Sequence, residues 1–187
     1  VIKDLLKKEK IDKLFISHLH FDHCSNLDLF RNSKIYINKK ELKNLFENNE
    51  DCDLYKPLLK IINEYDVNTF KDEINISNNI KTVLTYGHTV GHSSLEFKQG
   101  KRRILVAGDA IKSLNDYLNS REYGNAQNPD EYIKTKEKIK QVNVEFSKLM
   151  LISLGYFKIV LHSKIGQKRA FATNCNSNFK MNCCNYF

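Results

Sequence analysis

Apolar positions along the chain follow two spacings, and the switches between them mark the elements. Ile2, Leu5 and Leu6 share one face of residues 1 to 10 with lysines opposite, the pattern of an amphipathic helix. Leu14, Phe15 and Ile16 then form a short apolar run that reads as a buried strand over 14 to 17, reached through Asp12 and Lys13. Leu27, Leu29 and Phe30 give an apolar patch, and Lys34 to Asn38 reads as a second strand. Helical spacing returns at Leu42, Leu45 and Phe46, and again at Tyr55, Leu58, Leu59 and Ile62. Strands are expected at 73 to 77, 82 to 85, 95 to 97 and 104 to 107, the last two joined by a charged turn. Asn128, Pro129 and Glu131 spell a helix start, with an Asn cap, Pro in the first turn and an acid at the third position. Ile139, Val142, Phe146, Leu149 and Met150 continue that helix, and residues 157 to 161 form a last strand.

These helices and strands alternate without internal repeat, and 187 residues suit one domain with a real core. The expected domain covers residues 1 to 166. Residues 167 to 187, rich in Asn, Ser and Cys without any period, are expected to form a poorly ordered or atypical tail. No apolar run approaches the roughly 20 residues of a membrane span, and no basic-then-apolar leader precedes the first helix. The chain begins at Val1 rather than Met, as a processed, excised or incomplete chain would.

Chemistry concentrates where the strands end. The first strand runs into Ser17-His18-Leu19-His20-Phe21-Asp22-His23, three imidazoles and a carboxylate within six positions. If the strand alternation persists past Ser17, His18 and His20 project to one side and can grip one ion with two neutral nitrogens. Asp22 and His23 fall where the chain must turn and can face a second ion, since two-metal sites hold their ions roughly 3.5 to 4 Å apart. Crowded imidazoles with no ion to bind would only repel on protonation. Three further strand ends repeat the theme. Gly87-His88-Thr89-Val90-Gly91-His92 is a loop bracketed by glycines, Leu105 to Ala107 deliver Asp109, and Ile159 to Leu161 deliver His162. All six histidines therefore lie at strand ends, which favours a shared site.

The net charge of +8 would suggest a nucleic-acid partner, but its distribution argues otherwise. Residues 1 to 145 carry 24 basic against 22 acidic side chains, while residues 146 to 187 carry 6 basic and none acidic, so the excess sits in the tail. A basic groove within the folded region is not indicated. The five cysteines, at 24, 52, 175, 183 and 184, are odd in number and lack Cys-x-x-Cys spacing. They fit neither a disulfide framework nor a zinc ribbon, and a reducing cytoplasm suits them. Cys24 reads as a small residue packed behind the cluster, with ligation as the other option.

Taken in order, His18-x-His20-x-Asp22-His23, Gly87-His88-Thr89-x-Gly91-His92 and Gly108-Asp109 resemble the metallo-beta-lactamase superfamily over roughly residues 1 to 163. The resemblance implies an α/β (α+β) fold, a four-layer αββα sandwich with a dinuclear site, usually zinc with iron or manganese as alternatives, at one edge of its two sheets. By position it implies that His18, His20 and His88 bind the first metal, that Asp109 bridges, and that Asp22 and His23 bind the second. It gives His92 a supporting, hydrogen-bonding role. The family's last ligand is the His of a Pro-Gly-His; here the segment is Val160-Leu161-His162-Ser163, and His162 is the candidate. The family also opens with paired strands before the first helix, so a chain starting at that helix is expected to lack opening strands from one sheet.

The activity so implied is hydrolysis of a small-molecule ester, lactone or thioester by a metal-bridging hydroxide, with Asp22 orienting it and taking its proton. His92, Ser17 and Thr89 are candidates to hold the imidazoles from behind. Tyr117, Arg121, Tyr123 and Asn125 either line a pocket or sit on an exposed loop. Three alternatives stand beside this reading. A nuclease of the same superfamily needs a basic face that the +2 balance does not provide. A diiron oxygen reductase resembles His-x-Glu-x-Asp and would carry Glu where His20 stands. A truncated domain without activity would have an incomplete second site.

Overall fold

The computed structural model describes residues 10–24, 26–49, 53, 55–99, 102–119, 125–141, 159–161 and 170–172. Its strands are β1 (Lys13–Phe15), β2 (Lys34–Asn38), β3 (Val67–Phe70), β4 (Asn75–Ser77), β5 (Ile80–Leu84), β6 (Ser93–Gln99), β7 (Arg102–Val106), β8 (Ile159–Leu161) and β9 (Ala170–Ala172). Its helices are α1 (Phe21–Cys24), α2 (Lys39–Asn49), α3 (Lys56–Glu64), α4 (Leu114–Leu118) and α5 (Pro129–Gln141), with short 3-10 turns at Leu27–Phe30 and Gly108–Ala110.

Two sheets result. One has the order β3-β2-β1-β8-β9, with β1, β2 and β3 parallel and β8 antiparallel to β1; the other is the antiparallel meander β4-β5-β6-β7. The layering follows from strand alternation, because successive side chains point to opposite faces. Leu14 and Ile16 join Ile35, Ile37, Leu45, Leu58 and Ile62 in a core that includes residues of α2 and α3. Phe15, between them, faces the other way and packs with Phe70, Ile76, Leu95 and Val106 from both sheets. Across the second sheet, Val83, Leu105 and Ala107 meet Ala110, Ile111 and Ile139 of α5. Three apolar layers thus separate four layers of structure, helix, sheet, sheet, helix. Each fully buried Leu or Ile in them contributes about 1.5–3 kcal/mol.

Most expected elements appear near their expected places. The helix start at Asn128 is made as its sequence predicts, with Glu131 N–H donating to Asn128 Oδ1 at 3.1 Å. Three elements carried too little pattern to be read: β3, whose Val67-Asn68-Thr69-Phe70 is half exposed, and the one-turn helices α1 and α4. Within the segment expected as a poorly ordered or atypical tail, Ala170 to Ala172 form β9 and pair with Leu161 to Ile159. Ala-Phe-Ala is a short apolar run able to extend a sheet edge, which composition averaged over the segment concealed. Residues 1 to 9 of the helix expected over 1 to 10, the expected continuation of α5 beyond Gln141, His162, Arg121 and Tyr123 lie outside the described residues, and Lys10 is not helical.

Candidate metal centre

The first site loop does not continue as a strand. Ile16 N–H still donates to Tyr36 O at 3.0 Å, but at Ser17 the carbonyl accepts from Ser93 N–H of β6 at 3.0 Å. The chain therefore leaves the first sheet for the second at this residue, and the expected alternation through His20 is not the reason the histidines meet. They meet through the loop: His18 Nε2 and His20 Nδ1 stand 3.1 Å apart. His23 N–H donates to His20 O at 2.8 Å, closing α1 and turning Asp22 and His23 back toward the same spot.

The other two loops arrive from the second sheet. Gly87, at φ 124°, begins the turn after β5, and a side chain there would overlap the Tyr132 backbone of α5. His88 follows, and its Nε2 lies 3.0 Å from His20 Nδ1 and 3.1 Å from Asp109 Oδ2. Asp109 is placed by the 3-10 turn after β7, and its Oδ1 lies 3.6 Å from His23 Nε2. Asp22 Oδ2 is 3.3 Å from that same nitrogen. Two triples form, His18 with His20 and His88, and His18 with His23 and Asp109, each with ligand atoms within 4.8 Å of one another.

Hydrogen bonding within the cluster does not account for this geometry. His20 Nδ1 has one in-plane position, a proton or a lone pair, yet two ring nitrogens face it at nearly equal distance. Three imidazole nitrogens around a tetrahedral zinc, each at about 2.0–2.1 Å from it, stand about 3.3 Å apart, close to the spacing seen. Both ring nitrogens of His23, and Nδ1 of His88, are buried without a hydrogen-bond partner in the structure. Buried polar atoms are ordinarily satisfied, so the donor set fits a cation.

The electrostatics agree. Burial, then the neighbouring His23, His92, His88 and His20, hold His18 well below the usual imidazole range. Burial and His88 lower His20 to about 4 despite Asp22 and Asp109. Burial pushes Asp109 up, but the His88 hydrogen bond and the surrounding imidazoles outweigh it and bring its carboxyl below the usual range. Asp22 is likewise lowered against burial, by the neighbouring His23 imidazole. Neutral imidazoles and ionised carboxylates are the protonation states that ligate metals.

Behind the cluster, Ser17 Oγ lies 3.1 Å from His18 Nδ1, and His92 Nδ1 lies 3.0 Å from Thr85 O. A carbonyl only accepts, so His92 carries its proton on Nδ1, and its Nε2 is left buried without a hydrogen-bond partner. Burial and His88 lower His92 to about 3. Cys24 is buried, and its Sγ donates to His20 O at 3.3 Å, as expected of a small residue packed behind the site. Five of the six histidines of the chain are thus within the described cluster or against it, His88 and His92 with ring centroids 5.9 Å apart. Tyr117 packs against the α5 core and Asn125 is exposed.

One residue at the centre was not read from the sequence. Glu41, in the first turn of α2, is buried; burial pushes its carboxyl up, opposed by hydrogen bonds from Leu19, Thr89 and Gly91. The available signal, Asn38 followed three residues on by Glu41, is that of an ordinary capping box. Only the approach of the two site loops gives that acid a different set of partners.

A two-sheet fold with His-x-His-x-Asp-His and Gly-His loops meeting an Asp at one end defines a metal-dependent hydrolase scaffold. Residues 3–146 match the model of the metallo-beta-lactamase superfamily, and the chain belongs to that superfamily of metal-dependent hydrolases. A probable metallo-hydrolase of Methanocaldococcus jannaschii is 30% identical over 113 residues, 60% of this chain and 43% of that protein. A quorum-quenching N-acyl homoserine lactone lactonase superposes with TM-score 0.64 at 21% identity, over 75% of this chain and 59% of its own. A dizinc quorum-quenching lactonase in complex with the product N-hexanoyl-L-homoserine superposes with TM-score 0.58 at 16% identity, over 87% and 64% of the two chains. The chain spans about half the length of such relatives. Membership of the family implies a divalent metal cofactor, commonly zinc. Among the described residues no helix is long and apolar enough to cross a membrane.

Proposed function

We propose that the chain hydrolyses a small-molecule ester, lactone or thioester, a lactone foremost, using two bound cations. The observation that carries this reading is the convergence of ring nitrogens and carboxylate oxygens from three loops into two triples that share His18. His18, His20 and His88 would hold the first cation, Asp22 and His23 the second, with Asp109 between them and His162 as a further ligand of the second. Zinc suits this nitrogen-rich set best, and iron or manganese are the alternatives. When bound, such cations lower the pKa of water toward neutrality and polarise a substrate carbonyl.

The chain's own groups supply the rest. Asp22, its side chain 44% exposed, keeps an ionised carboxylate at the mouth of the cluster, where it can orient an attacking water and accept its proton. His92 holds its proton on Nδ1 against Thr85 O and stays neutral, so it does not add a positive charge beside the cations. Phe21 and Val90, on the loops that carry His20 and His88, remain 38% and 39% exposed, which suits a substrate with an apolar portion. The near-neutral charge of residues 1 to 145 supports a small molecule over a nucleic acid, and an odd number of cysteines without Cys-x-x-Cys spacing suits a reducing cytoplasm.

The test is metal analysis of the purified chain followed by a panel of lactone, thioester and phosphodiester substrates. About two ions per chain and turnover of the lactone are expected. Activity on the phosphodiester alone, or a chain that retains no metal, overturns the reading.

A further inference from the structure

Glu41 occupies a position that the metal chemistry does not itself require. Asn38, at the end of β2, already caps α2, its Oδ1 accepting from Lys40 N–H at 2.9 Å. The Glu41 side chain is therefore not needed at the helix terminus. It turns inward, 3% exposed, and its two oxygens reach two different loops. Oε1 accepts from Leu19 N–H at 3.0 Å. Oε2 accepts from Thr89 Oγ1 at 2.7 Å and from Gly91 N–H at 2.9 Å.

The two loops so joined are the ones that must be in register for the first triple to form. Leu19 lies between His18 and His20; Thr89 and Gly91 lie between His88 and His92. One carboxylate thus spans the gap across which His20 and His88 face each other at 3.0 Å. Gly91 makes this approach feasible, because a Cβ there would overlap the Glu41 backbone. The partners are all neutral donors, and a carboxylate offers only acceptor positions to receive them. An amide of the same shape cannot do so: its nitrogen would confront an N–H or O–H donor on one loop or the other.

We propose that Glu41 is a positioning residue that fixes the separation of the His18–His20 pair from His88, and so the affinity and geometry of the first cation position. The proposal rests on the metal reading given above. Groups that hold ligands from behind typically alter metal affinity about 10–100-fold when changed.

Titration of the metal-stripped full chain with Co2+, followed by visible absorption and by binding affinity, tests this, with thermal unfolding of the metal-free proteins run alongside. Glu41→Gln should weaken the tighter Co2+ site by at least about tenfold and change its ligand-field spectrum. Thr89→Val, which removes one of the three bonds and keeps the side-chain shape, should show a smaller change in the same direction. A merely structural role would lower the unfolding temperature while leaving the spectrum of the loaded protein unchanged. A folded Glu41→Gln protein with wild-type affinity and spectrum overturns the proposal. Where Glu41→Gln does not fold, wild-type binding and spectrum in Thr89→Val overturn it, and a weakened, spectrally altered site supports it. If the wild-type chain itself takes up no Co2+, the metal reading fails and the proposal falls with it, an outcome distinct from a wild-type chain that binds and a variant that binds equally well.

Discussion

Lys136→Met tests how α4 and α5 are held against the loops that carry Asp109 and His88. The Lys136 side chain is fully buried and its Nζ pairs with Asp116 Oδ1, on a side chain only 7% exposed. Nζ also donates to Asp116 O at 3.3 Å and lies 4.7 Å from the centre of the Tyr132 ring. The other carboxylate oxygen accepts from Tyr132 O–H and from Lys112 N–H, both at 2.8 Å. Methionine keeps the length and the apolar stem but removes the cation, leaving a buried carboxylate with two neutral donors. Removing one member of a buried pair costs about 3–5 kcal/mol. At about 2–4 °C per kcal/mol for a chain of this size, thermal unfolding of the metal-free protein should shift down by about 6–20 °C at pH 7.

A double variant gives a second check. Adding Asp116→Asn to Lys136→Met should recover part of the loss, because no charge is then buried. A shift under about 3 °C at pH 7, or no recovery in the double variant, would refute the reasoning and show the carboxylate to be adequately solvated without its lysine.

Other consequences are more direct. His88→Ala should lower bound metal from about two ions toward one and abolish hydrolysis, and unchanged metal content by elemental analysis would contradict its placement. Asp109→Asn should weaken both cation positions together, read by stepwise Zn2+ titration; loss of one alone would show that it does not bridge. The depressed His20 and His92, at about 4 and about 3, bind fewer protons folded than unfolded between those values and 6.5. Stability of the metal-free protein should accordingly rise with pH across that window, by about 1.4 kcal/mol per pH unit for each group, as measured by urea unfolding. A flat profile would show that these imidazoles are not buried neutral.

His18, His20, Asp22, His23, His88 and Asp109 stood out in the sequence as candidates because ionisable groups clustered at strand ends leave a mark within a few residues. The four layers were legible only through the resemblance those motifs carry. Leu14-Phe15-Ile16 likewise read as a buried strand, and backbone alternation puts Leu14 and Ile16 on one face and Phe15 on the other. Relations between segments distant in the chain came only with packing. Ser17 leaves its sheet because Ser93 of the other sheet offers a donor, which no spacing rule contains. Glu41 looks like a capping acid until two loops, 22 and 50 residues away, present their donors to it. Lys136 reads as one more lysine on a charged helix until Asp116, 20 residues earlier, meets it in the interior. Local patterns arise from covalent geometry and can be read along a line, whereas the desolvation of a charge and the donors that compensate it are properties of packing.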